Sequence, residues 1–529
     1  MTYKVLVADP LSEEGLYPLK EAENIEVINT PGMTEDELLE QVATADALLV
    51  RSQTEVTKEV IQAGKQLKII GRAGVGVDNI DLTAATEHGI VVVNAPDGNI
   101  NSAAEHTMAM LMSLSRKIPQ AFHKLKNGEW NRKTHIGVEV KGKWLGIVGL
   151  GRIGNEVATR AKGQRMKIIA YDPFLTEEKA EALGVEKGTL DEVLERADFI
   201  TIHTPLLKET RHLINKEAFE KMKEGVRIVN CARGGVLDEA ALYDAITSGK
   251  VAGAALDVFE EEPATNNQLL TLDEVIATPH LGASTVEAQE NVAVDVSEDV
   301  VRVLNGEIAT NPVNVPSVRE EVMRKLRPYI ELVEKLGMFL ARIHTEPVEE
   351  FNVYYNGELA KVDVAPLTRH ALKGLLSCYL GDRANEVNAD YLAKKTGIVV
   401  HELKTTTVKG FTNTVTVEIK SKDTTRSIVG TLFNGLGPRI VRIDNYTMDV
   451  VPEEYMLMIY HKDQPGVIGK VGSKLAQNNV NIATMQVGRS EVGGDAIMML
   501  TIDKPTEEVN VEALLDFEDI YHAKTIHLK

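Results

Sequence analysis

The sequence predicts an α/β protein: two doubly wound domains, each built on a parallel sheet, followed by two smaller α+β domains. Three observations lead there. At 529 residues the chain exceeds what one core supports, and ordinary domain sizes divide it into three or four. Two successive series of short β-branched runs alternate with amphipathic stretches, the pattern of parallel sheets wrapped by helices. After about Pro316 that rhythm stops, and helical and strand-like segments mix.

The first series predicts strands at Lys4–Ala8, Ile25–Asn29, Ala47–Arg51, Leu67–Gly71 and Ile90–Asn94. A long helix should follow, with Ser102-Ala-Ala-Glu105 at capping-box spacing ahead of Met108, Leu111 and Met112. The second series predicts strands near Trp144–Val148, Lys167–Tyr171, Phe199–His203, Val226–Asn230, Gly253–Asp257 and Glu274–Thr278. Pro312 and Pro316 mark the expected hinge into the C-terminal half. Residues 317–450 carry no readable chemistry. Residues 451–529 read as strand, helix, two strands joined at Gly493-Gly494, helix and strand.

Hydrophobic content of 43% with 26% charged residues is ordinary for a globular protein. The formal net charge of −20 would repel nucleic acid and anionic membrane surfaces, so neither is expected as a partner. An anionic small molecule must then be drawn in by a local cluster of arginine or lysine. The opening Met1-Thr-Tyr-Lys-Val-Leu-Val-Ala-Asp-Pro10 reads as a strand and turn without a signal-peptide layout, and no apolar run has the length of a bilayer span. Cys231 and Cys378 are too few for a disulfide framework; they read as packed thiols in a reducing cytosol, so the expected location is cytoplasmic.

Gly149-Leu-Gly151-Arg152-Ile153-Gly154 follows an apolar strand and opens a helix, and the next strand ends at Asp172. Together these form the dinucleotide fingerprint of a Rossmann-like domain. Gly149 makes the tight turn, Gly151 lets the backbone approach a pyrophosphate, and Gly154 lets the helix pack on the sheet. The helix N-terminus, at Arg152 and Ile153, then faces the phosphates. Asp172 would accept the ribose hydroxyls and repel a 2′-phosphate, so the expected cofactor is NAD. Gly71-Arg72-Ala-Gly74-Val75-Gly76 lacks the glycine spacing and the helix, and reads as a substrate loop.

Ligands of open α/β sheets gather at the carboxyl ends of the strands. In the second series those ends carry Gly149–Gly154, Asp172, Thr204, Cys231-Ala232-Arg233, Asp257 and His280. His280 suits removal of a hydroxyl proton. Glu262 would fix the imidazole and favour its charged form. Arg233, flanked by Gly234-Gly235, suits two-pronged binding of a 2-hydroxy acid's carboxylate and can polarise the forming carbonyl. Arg51, Arg72 and Gly74-Val75-Gly76 end strands of the first series and should face this rim across a cleft, where the two arginines could hold a phosphate. Asn99, near the expected interdomain hinge, is a further carboxylate contact, and Arg132 in Trp130-Asn-Arg132-Lys is a candidate contact across a dimer interface. His106, His203 and His212 lack such company and read as packing or surface residues. No metal is expected.

Asn230-Cys-Ala-Arg233-Gly-Gly, Asp257-Val-Phe-Glu-Glu-Glu262-Pro and Pro279-His280-Leu-Gly282-Ala283-Ser-Thr resemble the Arg, Glu and His motifs of the D-2-hydroxyacid dehydrogenases, with likeness over about residues 3–315. The resemblance implies a substrate-binding domain from 1–98 and 285–316, an NAD-binding domain at 99–284, and cofactor contacts from Gly282 and Ala283. Val75 departs from it, standing where some relatives carry a hydroxyl residue. The C-terminal extension is similar to that of the family's long form, with 317–450 an intervening domain. Tyr455–His461, Asp463-Gln-Pro-Gly466 and Asn479-Val-Asn481-Ile resemble an ACT domain, an amino-acid-sensing module at 451–529. That implies effector contacts from His461, Asp463 and Asn481, with L-serine the expected effector. For activity the resemblance implies NAD-dependent oxidation of 3-phospho-D-glycerate to 3-phosphohydroxypyruvate, towards L-serine, by a homo-oligomer (dimer or tetramer). Two other readings stay open. One is a glyoxylate or hydroxypyruvate reductase of the same fold, for which Arg51 and Arg72 would be needless. The other is a corepressor-like protein that binds NAD as a signal.

Overall fold

The computed structural model describes residues 2–316, 318–407, 410–505 and 509–529. Strands β1 Tyr3–Val7, β2 Ile25–Asn29, β3 Ala47–Val50, β4 Ile69–Arg72 and β5 Val91–Asn94 form a parallel sheet in the order β2-β1-β3-β4-β5. The central strand β3, Ala-Leu-Leu-Val, is buried along its whole length, as expected when helices cover both faces of a parallel sheet. The second sheet is also parallel. It contains β6 Trp144–Val148, β7 Lys167–Tyr171, β8 Glu186–Lys187, β9 Phe199–Ile202, β10 Val226–Asn230, β11 Val251–Leu256 and β12 Val275–Ala277, ordered β12-β11-β10-β9-β6-β7-β8. The order reverses between β6 and β9, and such a switch point leaves a crevice at the carboxyl ends of the strands.

The chain crosses between the two sheets twice. It leaves the first through Asn99 and the helix Ile100–Arg116, whose Leu111 and Leu114 join the core of the second sheet. It returns through the helix Val286–Leu304, which packs Val292, Val296 and Val300 with Val5, Val7, Leu49 and Ile69. The first sheet is therefore covered by a helix that arrives more than 190 residues after β5.

The third unit is a mixed sheet of β13 Glu350–Gly357, β14 Val399–Thr405, β15 Asn413–Lys420, β16 Thr425–Phe433, β17 Gly437–Ile443 and β18 Tyr446–Val450, ordered β14-β13-β15-β16-β17-β18. The helices Glu320–Ile343 and Ala365–Leu380 pack on it. The last unit is antiparallel: β19 Tyr455–Lys462, β20 Ile482–Arg489, β21 Asp495–Ile502 and β22 Ile520–His527, ordered β20-β21-β19-β22. Alternation along β19 sends Leu457 and Ile459 into a core with the helix Val467–Gln477, while Met456 and Met458 join the core of the third unit. The two C-terminal units thus share apolar packing.

Three local expectations are corrected. The long helix begins at Ile100, so Ser102 lies within its first turn instead of capping it; its hydroxyl meets Thr285 Oγ1 at 2.5 Å, and Glu105 pairs with Arg160 at 3.5 Å. Pro312 bridges to Val93, Val313 N–H donates to Val92 O at 2.7 Å, and Pro316 O accepts from Arg369 Nη2 at 2.8 Å, so these prolines are fastened to their surroundings and not free at a hinge. Among the described residues the second helix of the last unit reduces to a 3-10 turn, Glu512–Leu514, where only Leu514 is buried and where Lys474 pairs with Asp516 at 3.4 Å.

Candidate active site

The glycine loop follows β6 directly. Gly149 has φ +96°, a left-handed conformation that favours glycine, and a Cβ there would meet His203 O at 2.7 Å. A Cβ on Gly154 would meet Gly149 O at 2.2 Å, so the helix Arg152–Gly163 can approach the strand only with glycine at that position. Gly151 differs: a Cβ would meet nothing within 4 Å, and no side chain caps the helix it begins. An open face at an uncapped helix N-terminus is a cradle for phosphate. Arg152 flanks it, with Nε 3.1 Å from Asp97 Oδ1, and Ile153 turns inward against the core. Asp172 closes β7; its carboxylate accepts Leu150 N–H at 2.9 Å and Phe174 N–H at 2.8 Å. A further atom of this rim calls for a ligand, because Thr204 Oγ1 is buried without a hydrogen-bond partner among the described residues; Asn99 Oδ1, at the crossing between the sheets, is likewise unpartnered among them. The residues present therefore fit a dinucleotide.

Beyond β12 the chain turns at His280, whose φ of +55° is unusual for a residue with a Cβ. Two groups hold it there. His280 N–H donates to Asp257 O at 2.9 Å, and His280 Nδ1 lies 2.9 Å from Glu262 Oε2. With Nδ1 engaged by the carboxylate, Nε2 is the ring nitrogen left for a substrate. Burial opposes ionisation of Glu262, but the His280 hydrogen bond and charge outweigh it and hold the carboxyl below its usual range. Glu262 Oε1 also accepts Phe259 N–H at 3.1 Å.

Asp257 has another task. Its buried carboxylate accepts Thr278 Oγ1 at 2.6 Å, Leu281 N–H at 2.7 Å and Gly282 N–H at 2.8 Å, so it pins the loop that carries His280 and Ala283. Burial would raise its pKa, yet these bonds and His106 keep it low. His106 is the residue that sequence reasoning missed. Its Nε2 lies 3.2 Å from Asp257 Oδ1 and 3.1 Å from Thr278 Oγ1, which corrects its reading as a mere packing or surface residue. Its place in the first turns of the crossing helix is a signal that could have suggested contact with the rim. His203 is packed, its imidazole pulled down to about 4 by burial, and His212 pairs with Glu260 at 3.1 Å. Cys231, beside Ala232 in the β10 loop, is pushed up to about 12 by burial and then by Asp257, which suits a packed and unreactive thiol.

Across the cleft, the first sheet presents a cationic cluster. A Cβ on Gly76 would meet Arg233 Nη2 at 2.3 Å, so the Arg233 side chain lies against the Gly74-Val75-Gly76 loop, and its Nε is 3.3 Å from Asp78 Oδ2. Arg72 folds over Gly74, its Nε buried without a partner. Burial first, then the charges of Arg233 and Arg51, lower Arg72 to about 10, with Asp78 and Asp9 opposing. Arg51 N–H donates to Asp9 at 2.6 Å, which fixes the end of β3. The Val75 carbonyl is held by Asn94 Nδ2 at 2.5 Å, although the residue itself brings no hydroxyl. Arg51, Arg72 and Arg233 thus come together, while Arg132 is exposed and is not among the charges that act on Arg72.

In the last unit, His461 is buried, its Nδ1 bonded to Lys462 O at 2.9 Å and its Nε2 unpartnered. Asp463 accepts Gly493 N–H at 3.2 Å and Arg489 Nη1 at 3.3 Å, and Asn481 Nδ2 donates to Asp503 at 2.5 Å. The last two side chains already have internal partners.

Comparison with known proteins agrees with this architecture. The model of the D-isomer specific 2-hydroxyacid dehydrogenase NAD binding domain matches residues 108–282, that of the D-3-phosphoglycerate dehydrogenase intervening domain matches 325–444, and the ACT domain matches 455–519. D-3-phosphoglycerate dehydrogenase of Bacillus subtilis is 47% identical over 527 residues, covering 99% of this chain and 100% of its own. That of Methanocaldococcus jannaschii is 47% identical over 526 residues, with 99% and 100% covered. Among solved structures, D-lactate dehydrogenase from Aquifex aeolicus, complexed with NAD and lactic acid, covers 59% of this chain and 100% of its own at 31% identity and a TM-score of 0.52. The chain belongs to the NAD-binding D-isomer specific 2-hydroxyacid dehydrogenases, in the long form that carries an intervening domain and an ACT domain.

Proposed function

We propose that this enzyme oxidises 3-phospho-D-glycerate to 3-phosphohydroxypyruvate with NAD, opening a phosphorylated route to L-serine. The observation that carries the reading is the convergence of Arg51, Arg72 and Arg233, which places more positive charge at the cleft than a single carboxylate requires. Arg233 takes the substrate carboxylate, with Asn99 beside it, and Arg51 and Arg72 take the phosphate; Gly74 and Val75 supply backbone contacts. His280 Nε2 accepts the C2 hydroxyl proton as that carbon loses its hydride, and Glu262 stabilises the imidazolium so formed. The chemistry NAD supplies when bound is acceptance of that hydride. Gly149, Gly151, Arg152, Ile153 and Gly154 would hold its pyrophosphate and Asp172 its ribose, while Thr204, Cys231, Ala232, Asp257, Gly282 and Ala283 would line the rest of the site. In this reading 1–98 with 285–316 is the substrate-binding domain, 99–284 the cofactor domain and 317–450 a spacer before the ACT module at 451–529.

The same reading includes an oligomer and an effector. Ile118, Phe122 and Leu125 on the helix Ile118–Lys126, with Trp130 and Ile136 beyond it, are exposed large apolar side chains in one stretch of chain, which suits a contact with a second copy that Arg132 would join. L-serine is the proposed effector, held near His461, Asp463 and Asn481. The unpaired cysteines suit a cytoplasmic setting, and no helix among the described residues is long and apolar enough to cross a membrane. NAD reduction with a panel of 2-hydroxy acids tests the activity. Preference for the phosphorylated acid supports it; preference for glycerate or lactate points to a reductase for non-phosphorylated acids, and no turnover to a binding protein.

A further inference from the structure

A second cationic site lies outside the cleft. The outer edge of the first sheet, the segment 306–316 and the third unit enclose a cavity of about 490 Å³, which lies in the range of small-molecule pockets. Its walls are mostly apolar, with Val315, Met323, Ile330 and Val387 among them, yet Arg302, Arg327 and Arg369 also line it. Of the acids on the same walls, Glu307 lies 4.0 Å from Arg302 and so offsets that arginine, while Glu386 lies 3.7 Å from Lys373 outside the cavity. His370 lies 3.4 Å from Glu334. Among the described residues Arg327 and Arg369 form no ion pair.

Arg369 is the informative member. Only 5% of it is exposed, and among the described residues its one side-chain hydrogen bond is from Nη2 to Pro316 O at 2.8 Å. Burial lowers its pKa, and Asp390, Asp363 and Glu386 temper that from beyond ion-pair distance. A buried guanidinium with donors to spare is costly unless something compensates it. In a chain of net charge −20, two arginines on the wall of one cavity with no carboxylate of the described residues at ion-pair distance are a departure from the general charge pattern.

We propose that this cavity binds a small amphipathic organic anion, its carboxylate or phosphate on Arg369 and Arg327 and its apolar body against Val315, Met323 and Ile330. The inference goes beyond the proposed activity and does not depend on it. Because the walls come from both the segment 302–316 and the third unit, an occupant bridges them and stabilises this arrangement of the two in proportion to its occupancy.

The test is calorimetric titration of the full-length protein, saturated with NAD, with 4-phenylbutyrate in one arm and inorganic phosphate in the other. The expected result is one 4-phenylbutyrate site per chain, weaker binding of phosphate at the same site, and competition between the two. Arg327→Gln should weaken 4-phenylbutyrate by about tenfold, the scale of one charge-assisted contact. Arg369→Gln should weaken it further; since that change also removes a buried bond to Pro316, the exposed Arg327 is the deciding position, with an unchanged unliganded Tm as proof of folding. The proposal is overturned by the absence of saturable binding of either probe or by unchanged affinity in Arg327→Gln. It is also overturned by loss of binding in Arg233→Gln with retention in Arg327→Gln, which would place the probe in the catalytic cleft. Phosphate binding as tightly as 4-phenylbutyrate would remove the apolar wall from the site and overturn the assigned ligand class. None of these readouts involves turnover, so failure here leaves the proposed activity standing.

Discussion

Replacing Glu262 by glutamine keeps a hydrogen-bond acceptor beside His280 and removes only its charge. The separation of 2.9 Å sets the magnitude. Two unit charges at that distance interact by about 1.4 kcal/mol in water-like surroundings and by about 6 kcal/mol at an effective dielectric of 20. The side chains of His280 and Glu262 are 49% and 38% exposed, so the lower figure applies. About 1.4 kcal/mol of lost imidazolium stabilisation corresponds to about a tenfold fall in kcat/KM at neutral pH, in both directions, since both pass through one transition state. The sign of the pH dependence follows from the carboxyl. Glu262 is held below its usual range, so its carboxylate stays charged through neutral pH and loses that charge only as pH falls through the lowered value. Steady-state pH profiles of both proteins check this: the defect of the variant should be full at neutral pH and shrink towards the acid end, where the native carboxylate is itself protonated. A variant with native kcat/KM across the profile would refute the pairing as a catalytic device.

Four further outcomes are expected. Asp172→Ala should narrow the preference for NAD over its 2′-phosphorylated form, measured as the ratio of kcat/KM values, and should loosen the glycine loop through loss of the Leu150 bond. Arg72→Ala should raise KM for the phosphorylated acid by about ten- to a hundredfold, the worth of one charged contact, while glycerate oxidation changes little; equal damage to both would remove Arg72 from the phosphate site. Asp257→Asn, which leaves one oxygen where Thr278, Leu281 and Gly282 need two, should lower kcat by about ten- to a hundredfold and increase amide exchange at 281–282. L-serine should bind the native protein and lower its activity without competing with substrate, and Asp463→Ala should abolish both effects in calorimetry and assay while sparing basal turnover.

What the sequence made legible was whatever is encoded locally. The two strand series, the glycine loop and the Asp172 strand end are each contained within a few dozen residues, and each stands where its spacing predicted. Arg233, Glu262 and His280 were readable because they share one rim of a parallel sheet, which topology alone brings together. The failures have the opposite character. His106 meets Asp257 across 151 residues of sequence, a contact created by the crossing helix and invisible to any local pattern. Ser102-Ala-Ala-Glu105 satisfies the spacing of a capping box, but Thr285 and Arg160 claim the two side chains and the helix starts earlier. Pro312 reads as a breaker until β5 accepts its segment as an edge. In each case a tertiary partner outweighed a local preference.

The same distinction explains why the arginine clusters appear only in three dimensions. Arg72 and Arg233 are 161 positions apart and lie on different sheets, so no run of basic residues announces them. Their approach is unfavourable on its own: burial and mutual repulsion weigh on Arg72, and Asp78 relieves the cluster only in part. In the proposed function those costs are offset by a substrate's negative charges, so part of the binding energy is stored in the arrangement of the arginines. Because Arg233 comes from the second sheet and Arg51 and Arg72 from the first, in that reading the charge that draws substrate in also draws the two units together around it. In that reading an acidic chain selects its anion by a local exception: the general field is repulsive, and three arginines supplied by the two sheets reverse it where they converge.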